Sequence, residues 1–241
     1  MIRKPKFQLN WKYALGEVAL IFIGISLAVG FQNWNEERKQ QLEAEAIVER
    51  LLVEVQENQA SIHTIIQEVE HRLLNIEGLL SRIGPDYQQY DATLIDSLVY
   101  QVLGSPQVIL GNGTLLEGIN SGKIALIPSE TLRPKLYGWQ KLVDEIRNSE
   151  EVLQTEAETI LFPFILEEFS FRQMDSTFGP AKNRIGKSRL PYLDNRKILA
   201  NRKFESLMDN KFFTHNNMLI DYRSLQSSLD QIESGLKELL E

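Results

Sequence analysis

The chain has 241 residues, with 33 acidic against 26 basic side chains and a formal net charge of −7. That balance argues against nucleic acid as the principal partner and against broad adhesion to anionic lipid. Cysteine is absent, so no disulfide or thiolate site is available, which suits an exported domain and a cytoplasmic one equally.

Residues 1–12 form a basic leader containing Arg3, Lys4, Lys6 and Lys12. An apolar run follows from Tyr13 to Phe31, interrupted by a single carboxylate at Glu17. Crossing a hydrocarbon core about 30 Å thick takes roughly 20 apolar residues at about 1.5 Å each. The segment 13–34 meets that requirement, and nothing later in the sequence does. Trp11 and Tyr13 at one end and Phe31 and Trp34 at the other suit the two interfacial aromatic belts. The positive leader, set against the mixed flank Glu36-Glu-Arg-Lys39, favours a cytoplasmic N-terminus and an exported C-terminal domain, hence a single-pass protein. A cleavable signal peptide ending near Ala28-Val29-Gly30 is the rival reading; Glu17 and the length of the run weigh against it.

Within this expected transmembrane helix, Glu17 is the sharpest residue. Intramembrane carboxylates usually face a partner or cavity, although one so near the interface can also snorkel to it. Glu17, Ile21, Gly24, Ala28, Phe31 and Asn35 step by four and three along one face. Gly24 and Ala28 make the small-xxx-small pattern that lets two helix backbones approach. Glu17, Gly24, Ala28 and Asn35 are therefore the candidate assembly residues, implying a homo-oligomer or a partner membrane protein within the bilayer.

From Glu36 to about Ile83 the chain lacks proline, and its first glycine is Gly78. Apolar residues recur at 44, 48, 51, 55, 62, 65, 69, 76, 79 and 83, with Asn58 and Arg72 interrupting, which is a heptad seam on a long helix, 36–83. A second apolar row at Leu52, Ile66, Leu73 and Leu80 widens the stripe and favours packing in a multi-helix bundle. With no breaker between them, span and long helix are expected to form one rod.

Gly84-Pro85-Asp86 ends that helix, and a helical bundle is expected over 91–241. Its elements are a helix at Ala92–Leu103, a short one at Thr114–Ser121 closed by Gly122, and a buried connector at Ile124–Ile127. A helix starting near Ser129 to Arg133 runs towards Ile160, with Pro163 kinking or dividing it. A loop over 175–194 precedes a helix near Asn195–Met208 and a separate one from about Thr214 to Leu240. The predicted fold class is all-α, within one extramembrane domain spanning 36–241.

Tyr13-Ala-Leu-Gly-Glu-Val18 and Ile23-Gly-Ile-Ser-Leu-Ala28, closed by Asn33-Trp-Asn-Glu-Glu37, resemble the signature of a large family of uncharacterised single-span bacterial membrane proteins. The segment Leu115 to Ile127, with Leu132-Arg133, is similar to a second block of that family, and the likeness fades beyond about residue 150. Phe31-Gln32 departs from the polar pair usual there. The resemblance implies membrane anchorage and a helical domain and supplies no activity; with the charge bias of the leader, the expected location is a bacterial inner membrane with the domain exported to the periplasm.

Catalytic signatures are missing: the sequence holds no Gly-x-Ser-x-Gly, phosphate loop, His-Glu-x-x-His or dinucleotide fingerprint. Glu68 and His71 have the Glu-x-x-His spacing of di-iron bundles, with His63 two turns away, yet His215 lacks the matching Glu. All three histidines are read as solvated helix residues, and no metal or cofactor is expected. Asn112-Gly113-Thr114 matches a glycosylation sequon but reads first as a turn. Glu167 and Glu168 point apart on a helix and cannot share one reaction centre. Lys182, Arg184, Lys187 and Arg189 form a basic loop that could dock an acidic or phosphate-bearing partner, or simply be solvated. The expected role is a membrane-anchored interaction scaffold or sensor-like module; the alternative is a membrane-tethered enzyme whose site is assembled from scattered residues.

Overall fold

The computed structural model of the chain describes residues 11–176, 184 and 186–241, the side chains of residues 12–14 excepted. The architecture is all-α, with no strand among the described residues. Helix α1, Trp11–Leu80, is continuous for 70 residues, about 105 Å at 1.5 Å per residue. Its N-terminal part is long and apolar enough to cross a membrane, and none of that part is buried. The expected rod is therefore present. Burial starts at Ala44, where the rest of the chain begins to pack against the helix.

Three further runs complete the bundle. The chain turns back along α1 through α2, Ala92–Val102, an extended segment over 103–112, and α3, Gly113–Asn120. It reverses at a single 3-10 turn, Lys123–Leu126, and runs out again as α4, Leu132–Glu156. A π-helical turn at Ala157–Leu161 leads into α5, Phe162–Glu168, and then α6, Phe171–Asp175. After the loop and a 3-10 segment at Asn195–Ala200, helix α7, Arg202–Lys237, returns the whole length of the bundle. Gln56 and Gln59 of α1 donate to Glu233 near the end of α7, whereas Glu70 near the end of α1 accepts from Arg223. The pair α1/α7 is therefore antiparallel.

The periodicity of these helices explains the packing. On α1 the inward positions are Ala44, Val48, Leu51, Val55, Asn58, Ile62, Ile65, Val69, Arg72, Ile76 and Leu79. On α4 they are Leu132, Leu136, Trp139, Val143, Ile146, Glu150, Leu153 and, in the π turn, Ala157. On α7 they are Phe204, Met208, Lys211, His215, Met218, Tyr222, Leu225, Leu229, Ile232 and Leu236. All three rows alternate steps of four and three, the spacing that keeps one face of a helix against its neighbours. They enclose two apolar clusters, a larger one from Ile47 to Leu73 of α1 and a distal one from Ile76 onward.

Local signals set the ends. Asp91 and Asn201 accept backbone N–H bonds at the starts of α2 and α7, satisfying donors that the first turn cannot. Gly122 adopts φ 75° and closes α3 in the left-handed conformation that glycine takes without a Cβ penalty. Ser129 Oγ accepts from Leu132 N at 3.2 Å, so α4 starts just before Pro134 and the missing proline N–H falls in the first turn, where no bond is lost. The division expected at Pro163 occurs as the π turn immediately ahead of it.

One expectation is corrected. Residues 195–208 do not form one helix with a separate helix from 214; α7 is continuous across 209–213. No glycine or proline occurs there, and Lys211 and His215, polar members of the inward row, had masked its periodicity.

Helix α3 packs close to α1 because it presents Gly118. A Cβ at that position would lie 2.8 Å from Ile124 Cδ1, 3.1 Å from Ile124 Cγ1 and 3.4 Å from Ile47 Cγ1. Ile124 is fully buried and has little room to yield. Gly118→Ala is expected to cost about 2 kcal/mol through overpacking, measured by denaturant unfolding of the full chain in detergent. Unchanged stability would mean that α3 can ride outward on α1.

Candidate functional site

Apart from His215, the polar residues in the three inward rows hydrogen-bond to backbone or to one another. Asn58 is 3 % exposed; its Nδ2 donates to Gly111 O at 2.8 Å and its Oδ1 accepts from Gly111 N at 2.7 Å. Arg72 donates to Gly104 O at 2.7 Å and to Glu68 at 2.8 Å. Glu54 accepts from Thr114 N and Leu115 N, capping α3 from α1, since Asn112 makes no side-chain cap bond. Arg50 pairs with Glu117 at 2.5 Å. From Arg72 to Asn58 is 14 residues of helix, about 21 Å, which the seven steps from Gly104 to Gly111 cover in extended backbone. Asn58 and Arg72 are therefore polar because at those two positions the seam meets a peptide backbone, while Ile62, Ile65 and Val69 between them join the apolar cluster.

From α4, Glu150 holds the same segment: it is 5 % exposed and accepts from both Val108 N at 2.8 Å and the Tyr222 hydroxyl at 2.5 Å. Burial, together with the neighbouring Glu150 carboxylate, raises the Tyr222 phenol above its ordinary range. In the distal cluster, Asn195 donates to buried Asp96 at 2.7 Å and accepts from Ser170 N at 2.8 Å. Burial raises the Asp96 carboxyl, with the Asn195 bond opposing it.

A third polar group lies where the two apolar clusters meet. Lys211 is 7 % exposed and donates to Gly104 O at 3.2 Å, the carbonyl already held by Arg72. Burial, then the nearby Arg72 charge, lower the Lys211 amine to about 8. One turn along, His215 is 1 % exposed and its ring nitrogens make no hydrogen bond of good geometry, the backbone of Lys211 being the one group that favours its charged form. Burial, then the positive charges of Lys211 and Arg72, lower its imidazole to about 3, so the ring is neutral at ordinary pH. A cavity of about 20 Å3 opens beside them, lined also by Glu156, Thr214 and the π turn. His215 thus departs from its reading as a solvated residue, whereas His63 and His71 are exposed as expected. Among the described residues, no group of three His, Asp or Glu side chains is placed to hold a metal.

The candidate assembly residues Glu17, Gly24, Ala28 and Asn35 are exposed on one face of α1, and a Cβ at Gly24 would meet nothing within 4 Å. The same face continues outside the apolar run. At 100° per residue, Leu42, Ala46, Glu49, Val53 and Ala60 all point within about 40° of Gly24. Each is exposed, Leu42 and Val53 at 56 %, so the bundle leaves this side of α1 uncovered over its first half. At the opposite end, Arg184, Lys187 and Arg189 are exposed, while Lys182 lies outside the described residues. The basic loop and the α1 face are not brought together.

Of the buried polar group, His215 was read in the sequence only as a solvated residue, and Lys211 was not singled out. The signal was present: the α7 spacing of four and three runs unbroken through Lys211 and His215 once polar residues are allowed into it. Comparisons with models of protein families, with curated proteins and with solved structures give no match.

Proposed function

We propose that the chain is a single-pass protein of a bacterial inner membrane, N-terminus cytoplasmic and bundle exported, that acts as an interaction scaffold or sensor-like module by self-associating through the outward face of α1. The observation that carries this reading is the continuity of that face from Glu17 to Ala60, uncovered along its whole length. Membrane insertion would give every copy the same orientation, so identical faces would meet at identical heights, as a two-fold dimer requires. Small residues at 24 and 28 would let the backbones approach in the bilayer, and Leu42 and Val53 would bury apolar surface above it.

Gly24→Leu combined with Ala28→Leu tests the reading. The pair should reduce cross-linked dimer in membranes several-fold while leaving the bundle folded, because neither residue touches it. Undiminished dimer would reject the face. Orientation is tested with single cysteines placed at Ser61 and Ser188 in this cysteine-free chain, using an impermeant thiol reagent on intact cells. Labelling without lysis is expected; labelling only after lysis would reverse the topology.

A further inference from the structure

The charge of the chain is unevenly spread. Over 184–203 the sequence carries seven basic residues and one acid, Asp194, in a protein whose net charge is −7. That acid is already taken, since Arg196 holds it at 2.8 Å. None of the ion pairs within 4.0 Å among the described residues includes Arg184, Lys187, Arg189, Lys197 or Arg202. All five are exposed. Glu167, Glu168 and Glu205 are exposed as well and stay outside that distance of them.

This stretch closes the far end of the bundle. Arg196 donates to Gln88 O and Tyr90 O, and Gly84 N donates to Leu199 O at 3.0 Å, which fixes it beside the turn that follows α1. Along α1 that turn lies about 70 Å beyond Trp34. The loop leading into it adds an independent observation. Leu190 is 80 % and Tyr192 68 % exposed, on either side of Pro191, whose ring keeps the residue before it out of the helical region. One exposed apolar side chain is ordinary. Two of them flanked by unpaired cations have the make-up of a protein interface, in which Tyr and Arg anchor the contact and surrounding charges steer the partner.

We infer that this end of the bundle docks an acidic segment of a second protein, whose carboxylates meet Arg184, Lys187 and Arg189 and whose apolar side chains cover Leu190 and Tyr192. The surface is separate from the outward face of α1 and does not depend on it. An anionic bilayer offers the same charge, but its field fades within a Debye length of about 8 Å. With the apolar segment of α1 in a membrane, the far end of the rod would stand well outside that range.

The test places the photo-reactive residue p-benzoylphenylalanine at Tyr192 of the full chain, made in its native cells, and irradiates the intact cells. One discrete adduct is expected, and mass spectrometry should find the cross-linked peptide of the second protein rich in Asp and Glu. Arg184→Glu, Lys187→Glu and Arg189→Glu together should lower its yield about tenfold or more, with the thermal midpoint of the purified chain unchanged. Absence of any adduct, an adduct with lipid or with a second copy of this chain, a partner peptide without acids, or a yield untouched by charge reversal overturns the inference. Should the charge-reversed chain melt lower than wild type, Arg184→Gln, Lys187→Gln and Arg189→Gln replace those substitutions. A fall in yield of about threefold or more then supports the surface, and an unchanged yield rejects it.

Discussion

On lowering the pH from 7 to 3.5, the wild-type chain is expected to lose about 4 kcal/mol of stability that His215→Leu keeps. In the native protein His215 takes a proton only near pH 3, whereas in the unfolded chain it does so near 6.5. Between those values the unfolded state binds more protons than the native one, so stability falls as the pH falls. Over the full window the loss amounts to about 4 kcal/mol for this one group. Leucine has no proton to take. Glu233, lowered to about 2 mainly by its bond from Lys237, also loses stability as the pH falls below the ordinary carboxylate range, but equally in both proteins. The difference between their curves therefore isolates His215. Denaturant unfolding at half-unit steps from pH 7 to 3.5 measures it, and parallel curves would mean that His215 is solvated. At pH 7 the same substitution should stabilise by about 1–3 kcal/mol, because two unpartnered nitrogens disappear.

A comparable effect of opposite sign is expected at Glu150. Replacing it with leucine strips the acceptor from Val108 N and from the Tyr222 hydroxyl, and Tyr222 is fully buried. Two donors left without partners cost about 3 kcal/mol after allowance for the relief of burying a carboxylate. Glu150→Gln retains an acceptor oxygen and should cost about 1 kcal/mol. Tyr222→Phe removes one of the two claims on Glu150. Combining it with Glu150→Leu should give less than the sum of the single effects, because the shared bond can be lost only once. Strict additivity would show that the hydroxyl and the carboxylate do not interact.

These two residues also show which parts of the structure could be read in advance. The apolar start of α1, its run through to the bundle, the breaks at Gly84-Pro85 and at Gly122, and the all-α class were legible because each depends on local spacing or on a residue of special backbone freedom. Asn58 and Arg72 read as interruptions, since a one-dimensional pattern does not reveal that a seam faces backbone at those positions. His215 was misjudged for the related reason that polarity was taken to mean exposure, and Lys211 fell in the gap left between two expected helices. Recognising them required knowing that α1 supplies Arg72 and that the segment after α2 supplies Gly104, two contacts separated by more than a hundred residues from α7. The outward face was half legible. Its apolar half was read from small residues, but its continuation through Leu42 and Val53 depended on learning which side the bundle leaves open.

The unbroken course of α1 has a mechanical consequence. From Ala44 to Leu80 the helix extends about 54 Å beyond the point where packing begins. A 5° tilt of its apolar segment would displace the Leu80 end by about 5 Å if the rod stays straight. Because α2 and the segment after it are laced to this helix through Arg72, Asn58 and Glu54, they would travel with it as cargo.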